Sequence, residues 1–293
     1  MNNIHEKVTE TIIKRIESGV MPWHKPWNNG GFDSWQRPLR ANGKAYKGIN
    51  TVILWAAAIE KGYSNPNWLT FKQADQAGGH VRKGEKSIQV VFWKEVEVED
   101  RETGEDKKIP FMQCYNVFNA EQCSGLPEKY LASGQIAAYS NPDERNEAAD
   151  NFVLSSGARV EHGGNRACYN SGNDRISMPE FKVFESAETY YGTILHELTH
   201  WTGHKSRCDR QLGNRFGSQS YAAEELIAEL GASFLCADLA LEPVVRDDHA
   251  AYIENWLTVL KNDSKAIFTA AAAAEKATTY LHGLQNVERT AAA

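Results

Sequence analysis

Two histidines four residues apart, with a glutamate directly after the first, constrain this chain more than any other stretch: His196-Glu197-Leu198-Thr199-His200. In a helix a four-residue step is close to one turn, so both imidazoles lie on one face and can share a divalent metal at about 2.0–2.1 Å. Glu197 then places a carboxylate beside that metal as a proton acceptor. Tyr190, Ile194, Leu195 and Leu198 recur at three- and four-residue steps, and Gly203 follows as a stop. The motif is therefore expected on a buried helix that ends shortly after it.

A third ligand has to come from elsewhere. His204 lies eight residues from His196, about 12 Å along a continuous helix, which is too far to share one ion. The extended spacing that uses a third histidine needs one at position 206, where this chain has Ser206. Downstream, Tyr221 to Phe234 reads as a second helix with Glu225 and Glu229 on one face. In a two-histidine, one-glutamate arrangement one of them binds the metal and the other hydrogen-bonds a ligand histidine. Gly231 and Ala232 favour Glu229 as the ligand, since small residues allow close helix packing just beyond it. Glu225 is then the residue expected to support a histidine.

With 293 residues the chain can bury one large core or two ordinary ones. Its net charge of −6 hides an asymmetry, because residues 1–94 carry 14 Lys and Arg against 7 Asp and Glu. A basic first third on an acidic chain is a candidate surface for a polyanion. The five cysteines form no Cys-x-x-Cys pair, so reduced thiols are expected, and with them a cytoplasmic protein. Residues 1–20 are polar and no apolar run approaches 18 residues, so neither export nor a membrane span is expected.

Asn3 to Ser18 has a helical apolar stripe closed by Gly19. Next come Trp23, Lys25 and Trp27 among prolines. They have two readings: a rigid corner that docks indoles on the core, or a stacking platform for nucleic-acid bases. Arg40, Tyr46, Lys47 and Asn50, then Trp68, Lys72 and Gln73, then Arg82, Lys83 and Lys86 continue the mixture of cations and aromatics. Such a mixture on a mixed α/β domain suits single-stranded nucleic acid better than duplex. Trp55 sits in an apolar helix and reads as core, whereas Trp93 ends an alternating strand and could face either way.

Residues 95–108 read as a charged hairpin, and residues 126–142, rich in glycine and proline, read as a linker. Beyond it a helix to Ser155 and short strands around Arg159–Glu161, Ala167–Tyr169 and Asn173–Pro179 precede the metal helix. The tail, His249 to Tyr280, is helical and alanine-rich and reads as packing. The expected class is α+β, with residues 1–125 as a nucleic-acid-binding domain and 143–293 as a metallopeptidase domain.

Several phrases then converge on one family. Gly19-Val-Met-Pro22-Trp23-x-Lys25-Pro26-Trp27, Tyr46-Lys-Gly48-Ile-Asn50, Trp68-Leu-Thr70-Phe71-Lys-Gln73 and Arg82-Lys83-Gly84-Glu85 resemble the single-stranded-DNA-binding domain of ArdC-type antirestriction proteins of conjugative plasmids. Tyr190-Tyr191 with His196-Glu197-x-x-His200-x-Thr202-Gly203-His204, and Glu224-Glu225-Leu-x-Ala228-Glu229, resemble that family's zincin-type metallopeptidase domain. A related N-terminal region also occurs in plasmid-transfer primases. The resemblance implies a protein that protects incoming single-stranded plasmid DNA from host restriction.

On these residues His196, His200 and Glu229 would hold Zn²⁺, with Mn²⁺ or Co²⁺ as alternatives, and Glu197 would be the catalytic base. The expected partners are single-stranded DNA and a protein substrate among host restriction components. Two outcomes stay open: a metallopeptidase whose chemistry is needed for protection, and a DNA-binding shield whose metal site is structural or vestigial.

Overall fold

A computed structural model describes residues 4–24, 35–99, 106–131, 144–210, 219–243 and 249–285, with side chains 95–111, 219 and 249–251 left out. The chain divides into two compact units that interleave along the sequence. One contains residues 1–37, 47–62 and 135–293; the other contains 38–46 and 63–134. These units do not follow the expected division at 125 and 143. The stretches 1–37 and 47–62 fall in the same unit as the helices of the metal motif, and the expected linker contributes Leu126 and Tyr130 to the core of the smaller unit. Apolar side chains decide this: buried area outweighs proximity along the chain.

In the smaller unit, β1 (Leu39–Arg40), β2 (Asn67–Leu69), β4 (Ile88–Glu99) and β5 (Asp106–Asn119) form one sheet in the order β1-β2-β5-β4. β1 runs parallel to β2, and the other pairs are antiparallel. The long β4–β5 ribbon keeps register from Ile88↔Val117 to Glu99↔Asp106, as its alternating sequence predicts. A short ribbon of β3 (His80–Val81) and β6 (Cys123–Ser124) and the helix α3 (Phe71–Gln76) complete it. Thr70 and Gln73 cap α3 reciprocally, so the Gln73 amide is used within its own helix.

The larger unit is mainly helical: α1 (Ile4–Glu17), α2 (Ile49–Lys61), α4 (Glu147–Ser155), α5 (Ala187–Thr202), α6 (Gln219–Asp238), α7 (His249–Asn262) and α8 (Ala266–Gln285). A three-stranded sheet of β7 (Arg159–His162), β9 (Arg175–Met178) and β8 (Cys168–Asn170), in that order, leaves β8 at an edge. The stripe read from the first segment is the buried face of α1, through Val8, Ile12 and Ile16. Thr9 Oγ1 donates to Ser264 O at 2.7 Å, tying α1 to the loop before α8.

Ala270, Ala271, Ala274 and Ala277 are buried on α8, and small side chains let α2 approach closely. Gly48, at φ +55, cannot carry a side chain without strain, and a Cβ there would lie 3.5 Å from Ala271 O. Trp35, Trp55 and Phe234 stack in sequence, with centroids 4.4 and 5.8 Å apart. Arg37 lies over Phe234 and bonds Asp238 through two nitrogens at 2.8 and 2.9 Å and Glu275 at 2.7 Å. All five cysteines are free thiols. Among the described residues no helix is long and apolar enough to cross a membrane.

Helices α5 and α6 approach closely at Gly231 and Thr199. A Cβ at Gly231 would fall 2.5 Å from Thr199 Cγ2 and 2.7 Å from its Oγ1. Thr199 is fully buried and donates to Leu195 O at 2.8 Å, so it has little room to turn away. Helix propensity favours Ala over Gly by about 1 kcal/mol, but this clash is larger. Gly231→Ala is expected to destabilise the protein by about 1–3 kcal/mol in urea unfolding. A fragment of residues 143–293 alone, lacking α1, α2 and Arg37, is expected to unfold without a cooperative transition in near-UV circular dichroism.

Candidate metal centre

Ser186 starts α5 by accepting from Thr189 N at 3.2 Å. The helix carries His196 and Glu197 inward, 3% and 4% exposed, and His200 at the margin. The Nε2 atoms of His196 and His200 face one another at 3.1 Å. Glu225 completes the group, with Oε2 3.4 Å from His196 Nε2 and Oε1 3.5 Å from His200 Nε2. These three donors, all within 4.8 Å of one another, are the candidate metal cluster among the described residues.

Glu229, expected as the third ligand, is not in this cluster. Its Oε2 lies 3.5 Å from Nδ1 of His196, and its Oε1 is 2.8 Å from Nε2 of His24. The two nitrogens of an imidazole point to opposite sides of the ring, so a carboxylate on the Nδ1 side cannot share an ion with the Nε2 pair. The expected roles of Glu225 and Glu229 are therefore exchanged in the structure. The close packing read from Gly231 is present, but it sits at Thr199 and does not carry Glu229 to the Nε2 edge.

Sequence reasoning missed Glu224, Arg210 and His24. His200 Nδ1 lies 3.1 Å from Glu224 Oε1, and Arg210 clamps that carboxylate at 2.9 and 3.0 Å. Arg210 also donates to Thr202 Oγ1 at 2.9 Å and to Thr199 O at 2.7 Å, which binds the turn after α5 to α6. Adjacent Glu224 and Glu225 were a visible signal, because neighbouring carboxylates on a helix can reach both edges of one ring. His24 carried no such signal, being remote in sequence and outside any spacing rule.

The centre stabilises positive charge. Burial by itself lowers the pKa of His200, but hydrogen bonds to Glu224 and Glu225 outweigh it and push the value up to about 10. Burial likewise opposes ionisation of Glu225, yet the two histidines hold its carboxyl well below the usual range. Glu224 is lowered against its burial by His200 and Arg210. Two imidazoles and a carboxylate in an electronegative pocket are a donor set that fits Zn²⁺, Mn²⁺ or Co²⁺.

Glu197 Oε2 accepts the backbone N–H of Tyr169 at 2.7 Å, so the edge strand β8 fixes this carboxylate beside the cluster. Tyr169 is in turn anchored: its hydroxyl donates to Asp174 at 2.8 Å and accepts from Arg207 at 3.1 Å. Arg207 stacks over Trp201, 3.9 Å from the ring centre, linking that anchor back to α5.

The candidate DNA-binding residues differ in exposure. Trp23, Trp68 and Tyr46 are buried, so their ring faces are spent on the core. Large indoles bury too much apolar area to be left in water when a core is near. Arg40 lies over the Tyr46 ring at 5.3 Å, and Asn50 is half-buried in the first turn of α2. Lys47 is exposed, with Nζ 3.6 Å from Glu275. Lys72, Gln73, Lys83 and Lys86 are exposed, as is Arg82, which bonds Glu85 at 2.7 Å. Lys25 and Trp27 lie outside the described residues. Among the described residues the exposed large aromatics are Phe71, Phe92, Trp93 and Tyr115, at 42–62%.

A family model described as the N-terminal domain of anti-restriction factor ArdC matches residues 2–118, and one described as a zincin-like metallopeptidase matches 147–273. Protein y4eC of Sinorhizobium fredii is 40% identical over 291 residues, covering 97% of this chain and 93% of its own. DNA primase TraC of Escherichia coli is 39% identical over 292 residues, but this chain spans only 26% of TraC. The antirestriction protein ArdC of plasmid R388 is similar in two crystal structures. Its metal-free form superposes with a TM-score of 0.84 at 45% identity over 97% of this chain and 98% of ArdC. Its Mn(II)-bound form gives 0.83 at 42%, over 98% and 100%.

The exchange of Glu225 and Glu229 has a measurable consequence. Glu225→Ala is expected to abolish Zn²⁺ and Mn²⁺ binding in chelator competition, whereas Glu229→Ala should weaken it by about 10–100-fold, the usual cost of losing an outer partner of a ligand. Equal losses would put both carboxylates on the metal.

Proposed function

The chain belongs to the ArdC antirestriction family, and we propose that it is a plasmid antirestriction protein that binds single-stranded DNA and cleaves a protein substrate at a zinc-type metallopeptidase site. The observation that carries the peptidase part is the convergence of His196 Nε2, His200 Nε2 and a Glu225 oxygen beside a separately anchored Glu197. His196, His200 and Glu225 would hold the divalent ion. A bound ion would polarise a peptide carbonyl and lower the pKa of a water toward about 7.

This chain's own residues supply the rest. Tyr169 N–H keeps Glu197 Oε2 in place, and Oε1 is the oxygen left to take the proton of the attacking water and pass it to the leaving amine. Glu224, backed by Arg210, orients His200 so that its Nε2 lone pair faces the cluster. The DNA reading is supported by the ArdC-type N-terminal match and by exposed Lys72, Lys83 and Lys86 in the smaller unit. A protein substrate among host restriction components would then be cut close to the DNA that the same chain holds.

The shield reading treats the ion as structural or vestigial. A structural ion is disfavoured, because ArdC of R388 keeps a similar fold in metal-free and Mn(II)-bound crystals. Binding of a labelled oligonucleotide across a salt series, with plasmid protection scored in cells, tests both halves. Wild type and Glu197→Gln should bind single strands equally, with log K falling by roughly 0.7 per phosphate contact per unit of log salt. Glu197→Gln should lose about 10²–10⁴-fold in peptide cleavage, the usual share of a general base, and lose protection with it. Full protection by Glu197→Gln would establish the shield.

A further inference from the structure

We propose that His24 is a positioning residue of the metal centre, acting through Glu229 on His196; this rests on the metal-site reading above. His24 follows α1 in the turn at Met21–His24, is 5% exposed, and has its Nε2 2.8 Å from Glu229 Oε1. The other oxygen of the same carboxylate faces His196 Nδ1 at 3.5 Å, and that nitrogen is buried with no hydrogen-bond partner among the described residues. At that distance the contact is an ion-pair approach, longer than an ordinary hydrogen bond.

A carboxylate between two imidazoles can accept a hydrogen bond from each. With Nδ1 of His196 carrying its hydrogen toward Glu229, Nε2 is left as a bare lone pair facing His200 and Glu225. His24 donates to the opposite oxygen and so fixes the rotamer of Glu229. His200 has the same arrangement built from other parts, with Glu224 at its Nδ1 and Arg210 holding Glu224. Each ligand histidine thus has a carboxylate behind it and a nitrogen donor behind the carboxylate. For His196 that last donor comes from a stretch about 170 residues upstream, within the part of the chain that matches the ArdC N-terminal model.

Dissociation constants for Zn²⁺ and Mn²⁺ would be measured by chelator competition on the full-length protein, with thermal unfolding of the metal-free forms alongside. His24→Leu keeps similar bulk and removes the donor; it should weaken both metals by about 10–100-fold. His24→Gln restores an N–H near the Nε2 position and should bind within about 3-fold of wild type. Trp23→Phe, a packing change at the neighbouring residue, should lower the unfolding temperature and leave both constants unchanged. In a Glu229→Gln background, His24→Leu should add little further loss, because the two act as one unit.

The proposal is overturned if His24→Leu binds metal like wild type, or if Trp23→Phe weakens binding as much at an equal loss of unfolding temperature. Additive losses for His24 and Glu229 would overturn it as well. Wild-type protein that takes neither metal would instead remove the metal-site reading on which the proposal stands.

Discussion

Thr199 and Gly231 touch so closely that no side chain fits between them, and the metal centre depends on that contact. Thr199 sits between the two motif histidines on α5, and Gly231 lies two residues past Glu229 on α6. Bringing the helix axes together at this point sets three glutamates of α6 against both edges of the histidine rings. Glu225 meets the Nε2 atoms, Glu224 the Nδ1 of His200, and Glu229 the Nδ1 of His196. A wider separation of the two helices would lengthen these contacts and weaken the pairing of the buried charges. Buried carboxylates without partners are among the more expensive features a core can hold.

Buried charge also explains why the N-terminal stretches belong to the helical unit. Asp238 closes α6 and Glu275 lies on α8, and the buried Arg37 bonds both carboxylates together. Burial would weaken the charge on Arg37, but the two carboxylates more than offset it and hold the guanidinium ionised. Glu229 is satisfied in the same manner by His24. The first 37 residues therefore supply nitrogen donors to carboxylates of α6 and α8, besides the apolar face of α1 and the Trp35–Trp55–Phe234 stack. Apolar packing alone would have tolerated substitutes; the paired charges specify which segment docks there.

What was legible in the sequence was local. The helix periods of α1, α2 and α5, the β4–β5 alternation and the His-Glu-x-x-His spacing each rest on neighbours within one or two turns, and each is present in the structure. Glu225 and Glu229 also share a face, as their spacing requires. Which of them meets Nε2 depends on where α6 crosses α5, and a helical period is blind to that because both residues have nearly the same phase. The tryptophans misled for a related reason. Trp23 and Trp68 stand beside cations in sequence, but burial depends on which elements close over them, and both were covered. Compact units that interleave along the chain are equally invisible to such local signals, as where residues 1–37 and 47–62 group with residues 135–293.

Glu197 shows how a mobile side chain becomes a fixed group in such a site. A glutamate has three rotatable side-chain bonds, and ordering it costs up to about 2 kcal/mol of entropy. Here that cost is met before any substrate arrives, because a backbone N–H of β8 donates to Oε2. The strand is held in place by the Tyr169–Asp174–Arg207 group, and Arg207 rests on Trp201 of α5. Helix α5 thus carries the base, and a path of hydrogen bonds and stacking returns to α5 to hold the base still. Preorganisation of this kind matters most for a proton acceptor, since a carboxylate displaced by about 1 Å loses orders of magnitude in rate. The same closure ties the three-stranded sheet to the metal helix, so the position of Glu197 and the docking of β8 are one constraint.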